Sequence, residues 1–213
     1  KYDPKIRCFI IDIDGGEDSG TTSDLKYATR VAEYLDVDLE VIEMNPKNVA
    51  DDLVRMIFHL DEPLADPAPL NALYISELAR KNGIKVLLSG AGGDEMFAGY
   101  YLHHMCYLIS NQRDKKFKNF YNQWERFTKP LIKTKILSDF SYFKTQLINK
   151  NYSFHEKGEV KKYLRSKKTP KISTKKYSNN FFRNQLSLDL FEHSVPPHNL
   201  SADQISMHFS IEN

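Results

Sequence analysis

The first hundred residues alternate short apolar runs with segments of helical periodicity, and this alternation restricts the fold more than any other feature. The apolar runs are residues 8–13, 39–44 and 84–88, and each has the length and composition of a β-strand. Between them, apolar residues recur every three or four positions, as they do on the buried face of a helix. Strands that alternate with helices predict an α/β fold in which helices flank a parallel sheet.

Three helices are predicted around these strands. The first begins near Asp24, whose side chain can cap it, and carries an apolar stripe as far as Leu35. The second has its apolar face over residues 49–60, and the third runs over residues 70–80. Gly83 follows the third helix at the position where a C-cap glycine belongs.

Two loops that follow predicted strands, residues 12–24 and 89–95, carry the polar and glycine residues of greatest interest. The carboxyl ends of parallel strands meet at one edge of a sheet, and ligands of open α/β folds bind there. We therefore expect both loops to lie on the same, functional edge.

Charge divides the chain into two parts that meet near residue 100. Residues 1–100 carry 10 basic and 19 acidic side chains, whereas residues 101–180 carry 19 basic and 5 acidic ones. We expect residues 1–100 to form the α/β part and residues 101–213 a mainly helical part, with two to four helices over 101–165. Residues 166–180 are polar and basic and predict an exposed loop, and residues 181–193 return to a helical pattern.

Composition and spacing exclude several classes of protein. No apolar run approaches the roughly 18 residues of a membrane span, and no signal peptide is visible, so we expect a cytoplasmic protein. The two cysteines show no zinc-binding spacing, and we expect them to remain thiols. The lysines of residues 101–180 are scattered over helical faces without a nucleic-acid-binding motif, so we expect no nucleic-acid partner.

The segment from Ser89 to Asp94 is the sharpest chemical signal, because three of its six residues are glycines. Gly90, Gly92 and Gly93 permit positive φ angles and allow a ligand to approach the backbone closely. A carboxylate beside a phosphate needs a divalent cation between the two, so Asp94 is a candidate Mg²⁺ ligand. A simple glycine turn in which Asp94 caps the following helix is the alternative interpretation.

Three ordered motifs resemble the synthetase domain of glutamine-dependent asparagine synthetases. Residues 89–100, SGAGGDEMFAGY, are similar to that family's SGxGxDExFxGY signature. Residues 61–67, DEPLADP, are similar to its DEPxxDP segment, and residues 201–213, SADQISMHFSIEN, to its DRxSMxxSxExRxPFLD segment. The resemblance spans nearly the whole chain.

This resemblance implies an α/β domain of the ATP-pyrophosphatase type, related to the adenine nucleotide alpha hydrolases. Family members adenylate the side-chain carboxylate of aspartate with Mg-ATP, and ammonia from a glutaminase domain then attacks the intermediate. By position, Ile11 matches the residue near adenine, Ser89 and Gly90 match residues that contact AMP, and Asp94 matches the magnesium ligand. A homodimer is a further expectation.

Departures from the family pattern indicate a fragment. The pyrophosphate-binding loop SGGxDS and the glutaminase domain are absent from this chain, so we expect that it cannot form the adenylate alone. Position 91 is alanine where many asparagine synthetases have an acid, and position 204 is glutamine where the family usually has arginine.

Three acidic residues of the flanking motifs are candidates for catalysis. Glu62 and Asp66 could contact the substrate amino group or a metal, and Glu212 matches an acidic position of the segment that faces the family's site. With alanine at position 91, one of these three carboxylates has to accept the proton during amide formation. Ordinary solvation of loop and helix surfaces is the alternative for each.

Two other functions remain open at this stage. One is a related amidotransferase that acts on another carboxylate, such as a sugar uronate or a β-lactam precursor, which Ala91 favours. The other is a non-catalytic nucleotide-binding module.

Overall fold

A computed structural model describes residues 6–13, 24–45, 47–61, 64, 68–148 and 175–213. The chain divides into two compact units, the first from residues 1–91 with 196–213 and the second from residues 92–195. This division differs from the one expected at residue 100. The last residues belong to the first unit because Ile205 is buried in one cluster with Met56, Leu70 and Leu73.

Regular elements follow one another along the whole of the described chain. In chain order they are β1 (Arg7–Ile13), α1 (Asp24–Leu35), β2 (Asp38–Met44), α2 (Val49–His59), α3 (Pro69–Lys81), α4 (Gly93–Phe97), α5 (Tyr101–Ser110), α6 (Phe117–Gln123), a π-helix (Trp124–Thr128), a 3-10 helix (Lys129–Leu131), α7 (Lys135–Ser138), α8 (Phe140–Ile148), α9 (Phe181–Leu188), a second π-helix (Asp189–His193) and α10 (Val195–His208). All helices of the described ranges fall short of the length and apolar character that a membrane crossing requires.

The sheet of the first unit consists of two parallel strands in the described residues. Strands β1 and β2 pair with Ile11 opposite Ile42 and Ile13 opposite Met44. The prediction of a third strand over residues 84–88 is wrong, because the sole strand-type pairing of this segment with the described residues is an isolated bridge between Val86 and Glu212. Leu88 is 96% exposed, so no described element buries the face that an apolar strand needs.

The three predicted helices of the first unit are confirmed as α1, α2 and α3. Asp24 is the first residue of α1, and α3 ends in the expected glycine cap, with Gly83 at a φ of 73°. The Ile84 N–H donates to the Ala79 carbonyl at 2.9 Å and the Gly83 N–H to the Arg80 carbonyl at 3.1 Å. Only glycine adopts this left-handed conformation without strain, so the end of α3 is fixed locally.

The second unit is helical and has its own apolar core. Met105, Cys106 and Leu108 of α5 are buried together with Trp124 and Phe143. The helical pattern expected over residues 181–193 is confirmed by α9 and the π-helix that continues it. An exposed loop was expected at residues 166–180, of which residues 166–174 lie outside the described residues.

Candidate functional site

The glycine loop begins with an exposed turn in the first unit. Ser89, Gly90 and Ala91 are all exposed, and the Ala91 N–H donates to the Ser89 hydroxyl oxygen at 3.1 Å. This bond folds the side chain of Ser89 back over the backbone two residues further on. The turn therefore presents backbone atoms and small side chains to solvent, as a loop that contacts a ligand through its backbone must.

The end of the chain pairs with the residues just before this turn. The Leu87 N–H donates to the Glu212 carbonyl at 2.8 Å, and the Glu212 N–H donates to the Lys85 carbonyl at 2.8 Å. The backbone of Glu212 is thereby fixed beside the segment that leads to Ser89, while its side chain is exposed. The structure thus brings one predicted catalytic residue to the start of the glycine loop.

Helix α4 begins directly after the turn, at the start of the second unit. Gly92 is its N-cap and has a φ of 95°, a left-handed conformation that strains any residue with a Cβ. Asp94 and Glu95 lie in the first turn of α4. Asp94 is therefore not the N-cap, and the alternative in which it caps the helix is wrong.

The carboxylate of Asp94 lies over Gly99. A Cβ at position 99 would clash with Asp94 Oδ1, and the Gly99 N–H donates to the Asp94 carbonyl at 2.9 Å. Asp94 is exposed, and no hydrogen bond joins its carboxylate to any described residue. Gly99 was not predicted as a site residue, although it is the glycine of the GY pair that ends the quoted signature and its lack of a Cβ makes room for the Asp94 carboxylate.

Glu95 is 3% exposed and accepts hydrogen bonds from two hydroxyl groups. The Tyr100 hydroxyl donates at 2.7 Å, and the Ser194 hydroxyl donates to the same carboxylate oxygen. Burial alone raises the pKa of Glu95, but the hydrogen bonds from Ser194, Tyr100 and the backbone outweigh it, so the pKa lies below its ordinary value. Burial and the bond to Glu95 raise the pKa of Tyr100 to about 12. Glu95 was also missed, although it follows Asp94 in the signature.

Two of the three sequence motifs meet in the first unit. Gln204 of α10 donates from Nε2 to Asp61 Oδ2 at 2.7 Å, across 143 residues of sequence. The glutamine at position 204, where arginine is usual in the resembling family, thus still joins the two motifs. Asp61 is described, but the predicted catalytic residues Glu62 and Asp66 lie outside the described residues.

Ile11, the predicted adenine neighbour, is half-buried in β1 two residues before the strand ends. Its backbone position is fixed by the parallel register with Ile42. The loop after β1, expected on the same edge as the glycine loop, lies outside the described residues from 14 to 23.

The Asp94 carboxylate fits a magnesium ion only where phosphate groups supply further ligands to that ion. Within the described ranges, no group of three or more His, Cys, Asp and Glu side chains is placed to hold a metal ion. Mg²⁺ in phosphate chemistry is commonly held by one or two carboxylates, with substrate phosphates and water as its other ligands. A single exposed carboxylate such as that of Asp94 matches this arrangement.

The family model for asparagine synthase matches residues 1–213. The chain belongs to the asparagine synthase family. It is 35% identical over 95 residues to the protein named Amidase chyE of Penicillium rubens, a match that covers 45% of this chain and 14% of that protein. It is 30% identical over 103 residues to asparagine synthetase 1 of Bacillus subtilis, covering 48% of this chain and 16% of that protein.

A third relative gives a shorter but more similar match. The putative asparagine synthetase of Mycobacterium tuberculosis is 45% identical over 51 residues, which is 24% of this chain and 8% of that protein. All three matches therefore span a small part of the relatives' length. No solved structure matches the chain significantly.

Proposed function

We propose that this chain is part of the synthetase domain, of ATP-pyrophosphatase type, of an ATP-dependent amide ligase. The enzyme activates the side-chain carboxylate of aspartate as an adenylate and transfers the acyl group to ammonia supplied by a glutaminase domain. The observation that carries the proposal is the exposed glycine loop, which leads through left-handed Gly92 to the exposed carboxylate of Asp94, to which no described residue is hydrogen-bonded. Membership of the asparagine synthase family supports the same chemistry.

In the first step, an oxygen of the substrate carboxylate attacks the α-phosphorus of ATP and pyrophosphate leaves. The exposed turn at Ser89 and Gly90 contacts the AMP part, and Ile11 packs near adenine. Gly92 and Gly93 let the phosphates approach the backbone without a clash against a Cβ. Asp94 would hold Mg²⁺, whose charge stabilises the negative charge that develops on pyrophosphate.

In the second step, the nitrogen of ammonia attacks the activated acyl carbon, AMP leaves, and the nitrogen gives up a proton. Position 91 is alanine, and a methyl group accepts no proton. Glu212 is one proposed base, and the pairing of its backbone with Lys85 and Leu87 just before Ser89 supports this choice. Glu62 and Asp66 are the other proposed bases.

Ala91 favours one alternative acceptor class. A small side chain beside the bound AMP leaves room for a bulkier carboxylate, and a relative named as an amidase is 35% identical to this chain over 95 residues. The same adenylation chemistry would then act on a sugar uronate or a β-lactam precursor. A non-catalytic nucleotide-binding module is the remaining alternative.

The decisive experiment measures pyrophosphate release by the full-length protein with Mg-ATP and aspartate. We expect Asp94→Asn to lower kcat about 100-fold or more and to change the Kd for AMP less than about threefold, because the lost charge acts at pyrophosphate. Asp51→Asn is the matched control, since Asp51 is also an exposed aspartate in the first turn of a helix.

Three other outcomes would each redirect the proposal. Equal losses of turnover and AMP affinity in Asp94→Asn would show that the loop had collapsed. Pyrophosphate release with another carboxylate but not with aspartate would replace the acceptor and keep the adenylation step. Binding of ATP without release of pyrophosphate with any carboxylate would leave only the nucleotide-binding module.

A further inference from the structure

The carboxylate of Asp94 accepts no hydrogen bond from any described residue. Its position therefore depends on the backbone turn from Asp94 to Gly99, which ends the short helix α4. The Gly99 N–H donates to the Asp94 carbonyl at 2.9 Å, and the Asp94 carboxylate lies over Gly99, where a Cβ would clash with it. A group that fixes this turn also fixes where the carboxylate oxygens of Asp94 lie.

One residue of this turn has a strained backbone. Ala98 has a φ of 61°, in the left-handed region that residues with a Cβ rarely adopt. Strained backbone persists only where the surrounding structure holds it, and it is concentrated at functional sites. The turn therefore requires contacts beyond its own backbone hydrogen bonds.

Glu95 supplies these contacts on the buried side of the turn. The Tyr100 hydroxyl donates to Glu95 Oε1 at 2.7 Å, which joins the start of the turn to the residue that follows it. The Ser194 hydroxyl donates to the same oxygen and joins the turn to a segment 99 residues further along the chain. A Cβ at position 92 would lie 3.9 Å from Val195 Cγ2, so this segment also lies beside the N-cap of α4.

Both hydroxyl donors are connected to Asp189, the first residue of the second π-helix. The Ser194 N–H donates to the Asp189 carbonyl at 3.0 Å. The rings of Tyr100 and His103 pack with 5.1 Å between their centroids, and His103 Nε2 lies 3.0 Å from Asp189 Oδ2. Gln185 donates from Nε2 to both carboxylate oxygens of Asp189, at 2.9 and 3.1 Å. The turn is therefore fixed to the helices of the second unit.

We propose that Glu95, Tyr100 and Ser194 are positioning residues, which hold the turn so that Asp94 presents its carboxylate to a magnesium ion bound to pyrophosphate. This inference rests on the proposed function, in which Asp94 is the magnesium ligand. The two hydroxyl groups and the carboxylate are paired with one another, so they act through Asp94 and not on the ligand directly. Loss of a group that orients a metal ligand typically lowers metal affinity by about tenfold to 100-fold.

Calorimetry of the full-length protein with magnesium pyrophosphate, and separately with AMP, tests this inference without requiring turnover. We expect Tyr100→Phe and Ser194→Ala each to weaken magnesium pyrophosphate binding about tenfold and AMP binding less than about twofold. Ser194→Thr keeps a hydroxyl group and should stay within about threefold of the parent protein. Tyr177→Phe is the matched control, because the Tyr177 hydroxyl also donates to a glutamate of the second unit, to Glu192 Oε1 at 2.8 Å.

A double variant shows whether the effect passes through Asp94. In the Asp94→Asn protein the charge of the metal ligand is already lost. Adding Tyr100→Phe should therefore weaken magnesium pyrophosphate binding less than about twofold further, since changes that act through one group are not additive.

The outcomes separate this inference from the proposed function on which it rests. If Asp94→Asn weakens magnesium pyrophosphate binding but Tyr100→Phe and Ser194→Ala do not, the inference is overturned and the role of Asp94 stands. Equal affinities of Asp94→Asn and the parent protein, or no binding to the parent protein, would overturn both. An equal loss from Tyr177→Phe, or an undiminished loss from Tyr100→Phe in the Asp94→Asn background, would show general damage to the fold and overturn the inference alone.

Discussion

The carboxylate of Glu95 is held in the second unit by hydroxyl donors from Tyr100 and Ser194. The hydrogen bonds place the folded-state pKa of Glu95 below its ordinary value of 4.5. A carboxyl group with a lowered folded-state pKa stabilises the fold at pH values above its unfolded pKa. That contribution is lost as the pH falls through the folded-state pKa.

Glu95→Gln should therefore destabilise the protein at neutral pH and flatten its stability profile below about pH 4.5. The amide keeps an acceptor but loses the charge, so we expect a loss of about 1–2 kcal/mol at pH 7. Urea denaturation at a series of pH values measures both effects. Glu33→Gln, at an exposed position of α1, is the control. An equally steep acid profile in Glu95→Gln and the parent protein would contradict this account.

Helix α10 completes the apolar core of the first unit by packing against α2 and α3. Ile205 is fully buried, whereas Leu200 on the same helix is 58% exposed. We expect Ile205→Ala to lower the free energy of unfolding by about 2–5 kcal/mol, because it leaves a cavity between α2, α3 and α10. Leu200→Ala should change it by less than about 0.5 kcal/mol. Denaturation midpoints of the two variants measure the difference, and similar losses would show that α10 does not complete this core.

The elements that were predictable from the sequence are those with local signals. Helix α3 was predicted because its apolar face and the glycine cap at Gly83 lie within one short segment. The prediction of a strand over residues 84–88 was wrong. An apolar run in the sequence does not reveal whether another segment will form backbone hydrogen bonds with every residue of that run. The two π-helices were not predictable, since no residue pattern distinguishes them from an ordinary helix.

The candidate site was also predictable only in part. The glycine loop was found from its composition, and Glu212 was found by resemblance. Glu95 and Gly99 were missed because their roles depend on partners, Ser194 in one case and the Asp94 side chain in the other. Such contacts become visible only once the chain is folded.

At the largest scale, this chain consists of two units with separate apolar cores. Cores of this kind open as separate cooperative units in hydrogen exchange. We expect Leu73→Ala to speed amide exchange in α2, α3 and α10 and to leave α5 and α9 unchanged. Phe143→Ala should have the reverse effect. Mass spectrometry of exchange in the full-length protein measures both variants, and acceleration of all five helices by either one would refute the separation.

The return of residues 196–213 to the first unit has a consequence during translation. A ribosome adds about 5–20 residues per second, so roughly a hundred residues of the second unit emerge over about 5–20 seconds before α10 does. During that interval Met56, Leu70 and Leu73 lack the side chain of Ile205 that covers them. The apolar core of the first unit is therefore completed only after α10 has left the ribosome, although most of the residues that form this core are made first.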